Sequence, residues 1–151
     1  MIVVIQCASR KRADAGFLRT RNGAPVLFVA NPQQAPTVEN GLYARPDDLS
    51  ESGKSWRDVL LEYNRRASDN PLRLLPAYQL YANETYRRLF EKFGADNTYI
   101  LSAGWGLINS EFLTPYYDIT FSAMADAFTG RCIDNPIHRT TPCRKGTCNA
   151  S

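Results

Sequence analysis

The sequence predicts an α/β domain with a short, mostly parallel sheet. Two apolar runs, residues 2–5 and 99–101, each give way abruptly to polar or small residues. Continuous apolar runs of this length are typical of strands that are covered on both faces, as in parallel sheets. Between the two runs lie segments whose apolar residues recur at helical spacing. Strands that alternate with helices in this way indicate an α/β fold.

The totals of the chain agree with one domain of this class. The chain has 151 residues, of which 44% are hydrophobic and 22% charged, and its net charge is +3. These are ordinary values for a globular domain, and the mild positive charge permits a polyanionic partner without requiring one. We expect residues 1–130 to form the domain and residues 131–151 to form a polar tail.

Segments that would place the chain in or across a membrane are not apparent. No apolar run approaches the roughly 20 residues that a membrane-spanning helix needs. The apolar residues 1–5 are too short for the core of a signal peptide and have no basic leader. We therefore expect a cytoplasmic protein with no membrane partner, whose four cysteines are reduced.

The first predicted strand, residues 2–5, leads directly into thiol, hydroxyl and cationic side chains. These belong to Cys7, Ser9, Arg10 and Lys11. Hydroxyls and cations at the end of a strand can bind a phosphate or a carboxylate. The alternative is a solvated basic loop, since runs of charge usually lie on a solvated surface.

A second strand is predicted over residues 25–30. The residues that follow, 31–53, are rich in Pro, Gly, Asn and Asp and are predicted to form a long irregular connection, either a lid or an insertion. A helix then begins near Trp56, with Ser52 or Ser55 as its cap, because apolar residues recur from that point at helical spacing.

A further helix is predicted from residue 76 to residue 93, with Gly94 as its C-terminal cap. Its apolar face includes Tyr81 and Tyr86. Tyrosines at such positions are more often core residues with a solvated hydroxyl than ligand contacts. The strand over residues 99–101 follows this helix.

The turn after that strand is built from small residues, namely Ser102, Ala103, Gly104 and Gly106. Glycine permits positive φ and lets a ligand approach the backbone closely. Since ligands of α/β proteins bind where parallel strands end, we interpret the turn as the floor of a pocket. An ordinary tight turn, in which the glycines only relieve strain, is the alternative.

The segment 112–121 carries Asp118 among aromatic residues and is predicted to be a semi-rigid loop. Burial among aromatic rings would raise the pKa of this carboxyl group, and a nearby cation would lower it. Such a group suits a general base or an acceptor for a sugar hydroxyl. The alternative is that Asp118 caps a helix that begins near Ser122.

Other chemistry receives little support from the residue pattern. The tail contains four residues of the types that zinc prefers, namely Cys132, His138, Cys143 and Cys148. Their spacing matches none of the common zinc knuckles. Walker, dinucleotide-binding and nucleophile-elbow motifs are missing from the sequence, which disfavours ATP hydrolysis and hydride transfer. We expect no cofactor.

Four segments, in this order, resemble a group of small bacterial, archaeal and phage domains of largely unassigned function. The segments are Cys7-Ala8-Ser9-Arg10-Lys11, Pro76-Ala77-x-x-Leu80-Tyr81, Leu101-Ser102-Ala103-Gly104-Trp105-Gly106-Leu107-Ile108 and Pro115-Tyr116-Tyr117-Asp118-Ile119-Thr120-Phe121. More distantly, the chain is similar to the YaaA-type peroxide-stress proteins, which bind DNA. The resemblance implies a Rossmann-like, three-layer domain whose motifs gather at one edge of the sheet.

These observations predict a domain that binds a nucleotide, a nucleoside or a nucleic-acid base. We expect catalysis, if there is any, to be cleavage or exchange of an N-glycosidic bond with Asp118 and Ser102 as the catalytic residues. Trp105 and Tyr117 are predicted to stack on the base, and Ser9, Arg10 and Lys11 to meet phosphate. The full predicted ligand-binding set is Cys7, Ser9, Arg10, Lys11, Tyr81, Ala103, Gly104, Trp105, Gly106 and Tyr117.

The alternative hypothesis is a non-catalytic DNA- or RNA-binding module in stress response or phage biology. It depends on a basic cluster formed by Arg10, Lys11, Arg12, Arg19 and Arg21. Binding through several phosphate contacts would weaken steeply with salt, whereas binding in a small-ligand pocket would not. A third interpretation is a phage- or defence-associated domain whose pocket is vestigial.

Overall fold

The computed structural model describes residues 1–66 and 69–121, and every structural statement below concerns these residues. The strands are β1 (Val3–Gln6), β2 (Leu18–Arg19), β3 (Pro25–Val29), β4 (Leu42–Ala44), β5 (Leu75–Pro76), β6 (Thr98–Ser102), β7 (Gly106–Asn109), β8 (Leu113–Thr114) and β9 (Tyr117–Asp118). The α-helices are α1 (Trp56–Arg66), α2 (Ala77–Leu80) and α3 (Thr85–Phe93), and short 3-10 helices cover Pro32–Gln34 and Ala95–Asn97.

Three small sheets organise these strands. In the first, β6 lies between β1, with which it runs parallel, and β7, with which it forms an antiparallel hairpin. In the second, β3 pairs in parallel with β4 and β9 and antiparallel with β2. Since β4 occupies one edge of β3, β2 and β9 share the other edge. The third sheet consists of β5 and β8.

The predicted three-layer, Rossmann-like arrangement is wrong. The parallel pairs are divided between two mixed sheets instead of forming one continuous sheet. The second predicted strand, β3, does not join β1 and β6, because part of the supposed irregular connection 31–53 forms β4 and pairs with it. The three helices of the described residues are also too short to cover both faces of a wide sheet, since α2 has only 4 residues.

Several local predictions are confirmed. The strands predicted over residues 2–5 and 99–101 are present as β1 and β6, and they pair in parallel. Helix α1 begins at Trp56 and is capped by Ser55, whose hydroxyl oxygen accepts a hydrogen bond from the Asp58 N–H at 3.1 Å. Helix α3 ends at Gly94, which has a φ of 80°. That conformation is accessible to glycine without steric cost, so the cap prediction has a clear physical basis.

The helix predicted over residues 76–93 is divided into α2 and α3 at Tyr81. This residue is extended, with φ −84° and ψ 134°. It forms an antiparallel bridge with Lys11, and the Arg12 N–H donates to the Leu80 carbonyl at 2.8 Å. A tertiary contact with the segment after β1 therefore interrupts a helical pattern that is continuous in the sequence.

The sheet of β1, β6 and β7 has only one covered face. Val4, Leu101 and Leu107 are 55%, 41% and 60% exposed, and the strand register places all three on the same side. The prediction that the first strand is covered on both faces is therefore wrong. Within the part of the chain that the structure describes, no helix is long and apolar enough to cross a bilayer.

The core collects large side chains from both larger sheets, α1 and α2. Phe28, near the end of β3, meets Trp56 and Trp105 edge-on, with ring centroids 6.1 and 4.8 Å away. Edge-to-face packing is favourable for aromatic pairs. This packing joins the turn after β6 to the second sheet. It therefore brings that turn close to the end of β3.

Candidate functional site

The carboxyl ends of β1 and β6 bring Cys7 and the glycine-containing turn into contact. The Cys7 N–H donates to the Leu101 carbonyl at 2.9 Å, which extends the parallel ladder by one residue. The Ala103 N–H in turn donates to Cys7 Sγ at 3.3 Å. These two predicted site residues are therefore adjacent, and the thiol serves as an acceptor for the turn.

Ser102 uses its whole hydrogen-bonding capacity inside the protein. Its Oγ accepts from the N–H groups of Gly104 and Trp105 at 3.3 and 3.1 Å and donates to the Tyr117 hydroxyl at 2.8 Å. A serine hydroxyl has one donor and two acceptor positions, and all three are occupied. Ser102 was predicted to be catalytic, but this geometry assigns it to holding the turn.

A chain of three hydroxyls runs from Ser102 through Tyr117 to Tyr81. The Tyr117 and Tyr81 oxygens are 2.8 Å apart. Because Tyr117 accepts from Ser102, its own proton is directed at Tyr81. Burial raises the pKa of both phenols well above the usual value, so both stay protonated. This chain of hydroxyls forms the buried side of the site.

Lys11 is 5% exposed, which is unusual for an ammonium group. Its Nζ donates to the Ile119 carbonyl at 3.2 Å and lies 4.0 Å from the centroid of the Tyr117 ring. Burial lowers the pKa of Lys11 to about 8, against the opposing charges of Cys7 and Asp118. Lys11 therefore stabilises the β9 segment and is not a free phosphate contact.

Asp118 is the last residue of β9, level with Val29 of β3, and is 6% exposed. Burial raises the pKa of its carboxyl group to about 6, and the charge of Lys11 opposes that rise. A carboxyl group that titrates near neutral pH is suited to proton transfer. The predicted combination of desolvation and a nearby cation is thus present at Asp118.

Two tyrosines near Asp118 were not among the predicted site residues. Burial and, to a smaller extent, the charge of Asp118 raise the pKa of both Tyr43 and Tyr116. Tyr116 packs against Phe17, with ring centroids 5.7 Å apart. Tyr43 belongs to β4, which the sequence did not indicate, and only the pairing of β4 with β3 reveals that it lies near the carboxylate.

The aromatic rings predicted to stack on a base are buried in the core. Trp105 is 6% exposed and meets both Phe28 and Tyr117 edge-on, the latter at a centroid distance of 6.3 Å. Tyr117 is fully buried beneath the Lys11 ammonium. Both rings are packed inside the protein, which disfavours the stacking role predicted for them. Each ring instead fills the space between the two sheets.

The two glycines of the turn have different tasks. A Cβ atom on Gly104 would lie 3.2 Å from the Tyr117 ring, and the Gly104 carbonyl accepts from Arg57 at 3.1 Å. Gly106 has a φ of 79° and begins β7, with open space around it. Gly104 thus permits close packing with the Tyr117 ring, and Gly106 permits the hairpin.

The predicted phosphate-binding residues do not act together. Lys11 is buried, whereas Arg10 is exposed, and Ser9 is only half-buried. The backbone carbonyl of Arg10 accepts from the Ala82 N–H at 3.2 Å. Another cation was missed: Arg45 is exposed directly after β4, and its Nε donates to the Ala30 carbonyl at 3.2 Å. It stands where β3 and β4 end.

The candidate zinc ligands in the tail lie outside the described residues, as does the helix that Asp118 was predicted to cap. Among residues 1–66 and 69–121, no group of three or more His, Cys, Asp and Glu side chains is placed to hold a metal ion. No family model, curated protein or solved structure matches this chain. The geometry of the site is therefore the basis for the functional interpretation.

Proposed function

We propose that the protein binds a nucleoside, a nucleotide or a nucleic-acid base, and that Asp118 assists cleavage or exchange of an N-glycosidic bond. The observation that carries the proposal is the buried carboxyl group of Asp118, with a pKa of about 6, near the ammonium of Lys11. β3, β4 and β9 are parallel, so their carboxyl ends share one edge of the sheet. Ligands of α/β proteins bind at such edges.

A carboxylate at this position matches the electrostatics of the reaction. As the bond between the sugar and the base breaks, positive charge develops on the anomeric carbon, and a carboxylate in a poorly solvated site stabilises it. In hydrolysis, Asp118 accepts a proton from the attacking water, whose oxygen bonds to the anomeric carbon. The base leaves with the bonding electrons and takes up a proton from solvent.

The exposed cation at the same edge favours a phosphorylated ligand. Arg45 follows β4 directly, and its guanidinium is already oriented by the Ala30 carbonyl. An arginine held in this way binds phosphate with two parallel hydrogen bonds. A nucleotide therefore fits the charges of the site better than a free base does.

The basic cluster behind the nucleic-acid alternative is dispersed in the structure. Lys11 is buried, Arg12 forms a two-point ion pair with Asp14, and Arg19 donates to the Gly23 carbonyl at 2.8 Å. Because strong phosphate binding needs clustered, accessible charge, this arrangement favours the small-ligand proposal.

The proposal is tested by base release from nucleosides and nucleotides with the wild type and Asp118→Asn. The substitution removes the carboxylate but keeps the shape of the side chain. We expect the rate to fall by about a hundredfold or more, which is typical for loss of a general base, while ligand affinity is retained. In the wild type, kcat/KM should rise with pH through about 6, because the carboxylate is the active form.

Asp14→Asn is the matched control, since Asp14 is an exposed aspartate that forms an ion pair with Arg12. Its rate should equal that of the wild type. Base release by Asp118→Asn at the wild-type rate would reject the catalytic role. Failure of the wild type to bind any member of the panel would reject the proposed function as a whole.

A further inference from the structure

A cavity of about 210 Å³ lies between α1 and the first sheet. We call it the edge groove, and its lining consists of Arg57, Leu60, Leu61, Trp105, residues 107–109 and Phe112. Most of these side chains are apolar, and Leu61 and Leu107 are 38% and 60% exposed. None of the lining residues belongs to β3, β4 or β9, so the edge groove is not part of the proposed ligand site.

The edge groove follows the outer edge of β7. Successive side chains of a strand point to opposite faces, so a cavity lined by three consecutive residues, 107–109, runs along the edge of the strand. β6 pairs with the inner edge of β7, and within the described part of the chain no strand pairs with the outer edge. Proteins commonly cover such an edge with a helix or a loop, because an open edge pairs with other chains.

The described part of the chain ends close to this groove. A Cβ atom on Gly104 would lie 3.5 Å from Ile119 Cδ1, and the Gly104 carbonyl accepts from Arg57 at 3.1 Å. Arg57 lines the groove, as does Trp105, the residue after Gly104. The last described residue is Phe121, which is 49% exposed. Since an extended chain spans about 3.3 Å per residue, a few residues beyond Phe121 suffice to reach the groove.

The sequence after Phe121 carries an apolar stripe. Large or small apolar residues recur three, four and seven positions after Phe121, which is the spacing of one helix face; they are Met124, Ala125 and Phe128. Ser122 is a residue type that begins helices, and Gly130 is one that ends them. The sequence therefore predicts a short amphipathic segment, which needs an apolar surface to pack on.

We propose that residues 122–130 dock in the edge groove and place Phe128 against Leu61 and Leu107. Phe128 is the largest side chain of this segment, and aromatic rings dominate the apolar area buried in such contacts. The segment then covers the edge of β7 and keeps it from pairing with another chain. This docking is independent of the proposed function, because it uses none of the residues assigned to ligand binding there.

The test places the photoreactive analogue p-benzoylphenylalanine at position 128 of the full chain, irradiates the protein and maps the crosslinked peptides by mass spectrometry. We expect crosslinks within one chain to residues 57–61 or 105–112. Crosslinks to other residues of the same chain, or the absence of any crosslink, would overturn the docking. Crosslinks between two chains would assign the groove to a second copy and would overturn it too.

Variants of the groove provide the second measurement. Leu61→Lys and Leu107→Lys should each lower the yield of these crosslinks by about tenfold, because docking would desolvate the added charge. Leu49→Lys is the matched control, since Leu49 is 74% exposed and does not line the groove, and its yield should equal that of the parent. All three positions are exposed, so a cooperative thermal transition confirms that each variant is folded. An unchanged yield in both groove variants would contradict the proposal.

Discussion

At the scale of single residues, burial decides what each polar group of the site can do. Ser102 follows the strand predicted over residues 99–101, and so the sequence suggested a reactive hydroxyl, but two amide donors and one phenol occupy it completely. Asp118 is the last residue of a short strand, and burial raises its pKa to about 6. Spacing in the sequence identified both residues; only their surroundings separate a structural role from a chemical one.

Replacing Tyr117 by Phe should destabilise the protein, because the substitution removes the central hydroxyl of the buried chain. Ser102 then loses its acceptor and Tyr81 loses a donor. We expect the free energy of unfolding to fall by about 1–3 kcal/mol, the usual cost of leaving buried hydroxyls unpaired. Urea denaturation measures the change. Tyr99→Phe on the open face is the control, and an equal loss there would contradict the argument.

Asp118 should also affect the pH dependence of stability. Because its folded-state pKa is raised to about 6 from 3.8, the folded protein binds more protons than the unfolded chain between these values. The stability that Asp118 contributes is thus full below about pH 4 and is lost as the pH rises through 6. Asp118→Asn lacks this loss, so its unfolding free energy relative to the wild type should rise from pH 4 to pH 6. A constant difference would contradict the raised pKa.

At the scale of elements, features that depend on residues close in the sequence were predictable. Features that depend on pairing between distant segments were not. The cap at Ser55 and the end of α3 at Gly94 depend on neighbouring residues and are confirmed. The break at Tyr81 depends on a bridge to Lys11, 70 positions away by their numbers in the sequence. Likewise, β4 has only 3 residues and forms because it pairs with the edge of β3.

Gly16 contacts two segments that are distant from it in the sequence, around Arg73 and Tyr116. Its N–H donates to the Arg73 carbonyl at 3.1 Å, and its own carbonyl accepts from the Tyr116 N–H at 2.8 Å. A Cβ atom there would lie 1.9 Å from the Leu72 carbonyl oxygen, which is far inside van der Waals contact. The backbone around Gly16 therefore has no room for any side chain.

We expect Gly16→Ala to lower the free energy of unfolding by about 3 kcal/mol or more, since the backbone of residues 72–73 must move to admit the methyl group. Gly53→Ala is the matched control, because Gly53 has a φ of 77° but no atom near its missing Cβ. Backbone strain alone should cost about 1 kcal/mol there. Chemical denaturation of both variants measures the difference, and equal losses would contradict the close packing at Gly16.

At the scale of the whole molecule, two mixed sheets share one aromatic core, and the first sheet leaves its other face open. The prediction of a continuous sheet between helical layers failed because apolar runs such as residues 2–5 look the same whether one face is covered or both. β1 and β6 nonetheless pair in parallel, which brings their carboxyl ends together. The candidate site depends on that pairing and on the set of β3, β4 and β9, of which only β3 was predicted from the sequence.

The open face gives a direct test of this architecture. Val4 is 55% exposed, so Val4→Lys should change the free energy of unfolding by less than about 1 kcal/mol. Ile100, on the covered face of β6, is fully buried, and Ile100→Ala should cost about 2–5 kcal/mol. Thermal or urea unfolding compares the two variants. A cost at Val4 as large as that at Ile100 would indicate that both faces are covered.

The central claim is that the edge formed by β3, β4 and β9 binds a nucleoside or nucleotide. The most direct measurement is a thermal-shift screen with nucleosides, nucleotides, free bases and short single- and double-stranded oligonucleotides at low and moderate salt. A ligand that binds only the folded state raises the melting temperature. We predict a shift with one nucleoside or nucleotide that persists at moderate salt. A shift with oligonucleotides alone, lost at moderate salt, would contradict the account and favour a nucleic-acid-binding module.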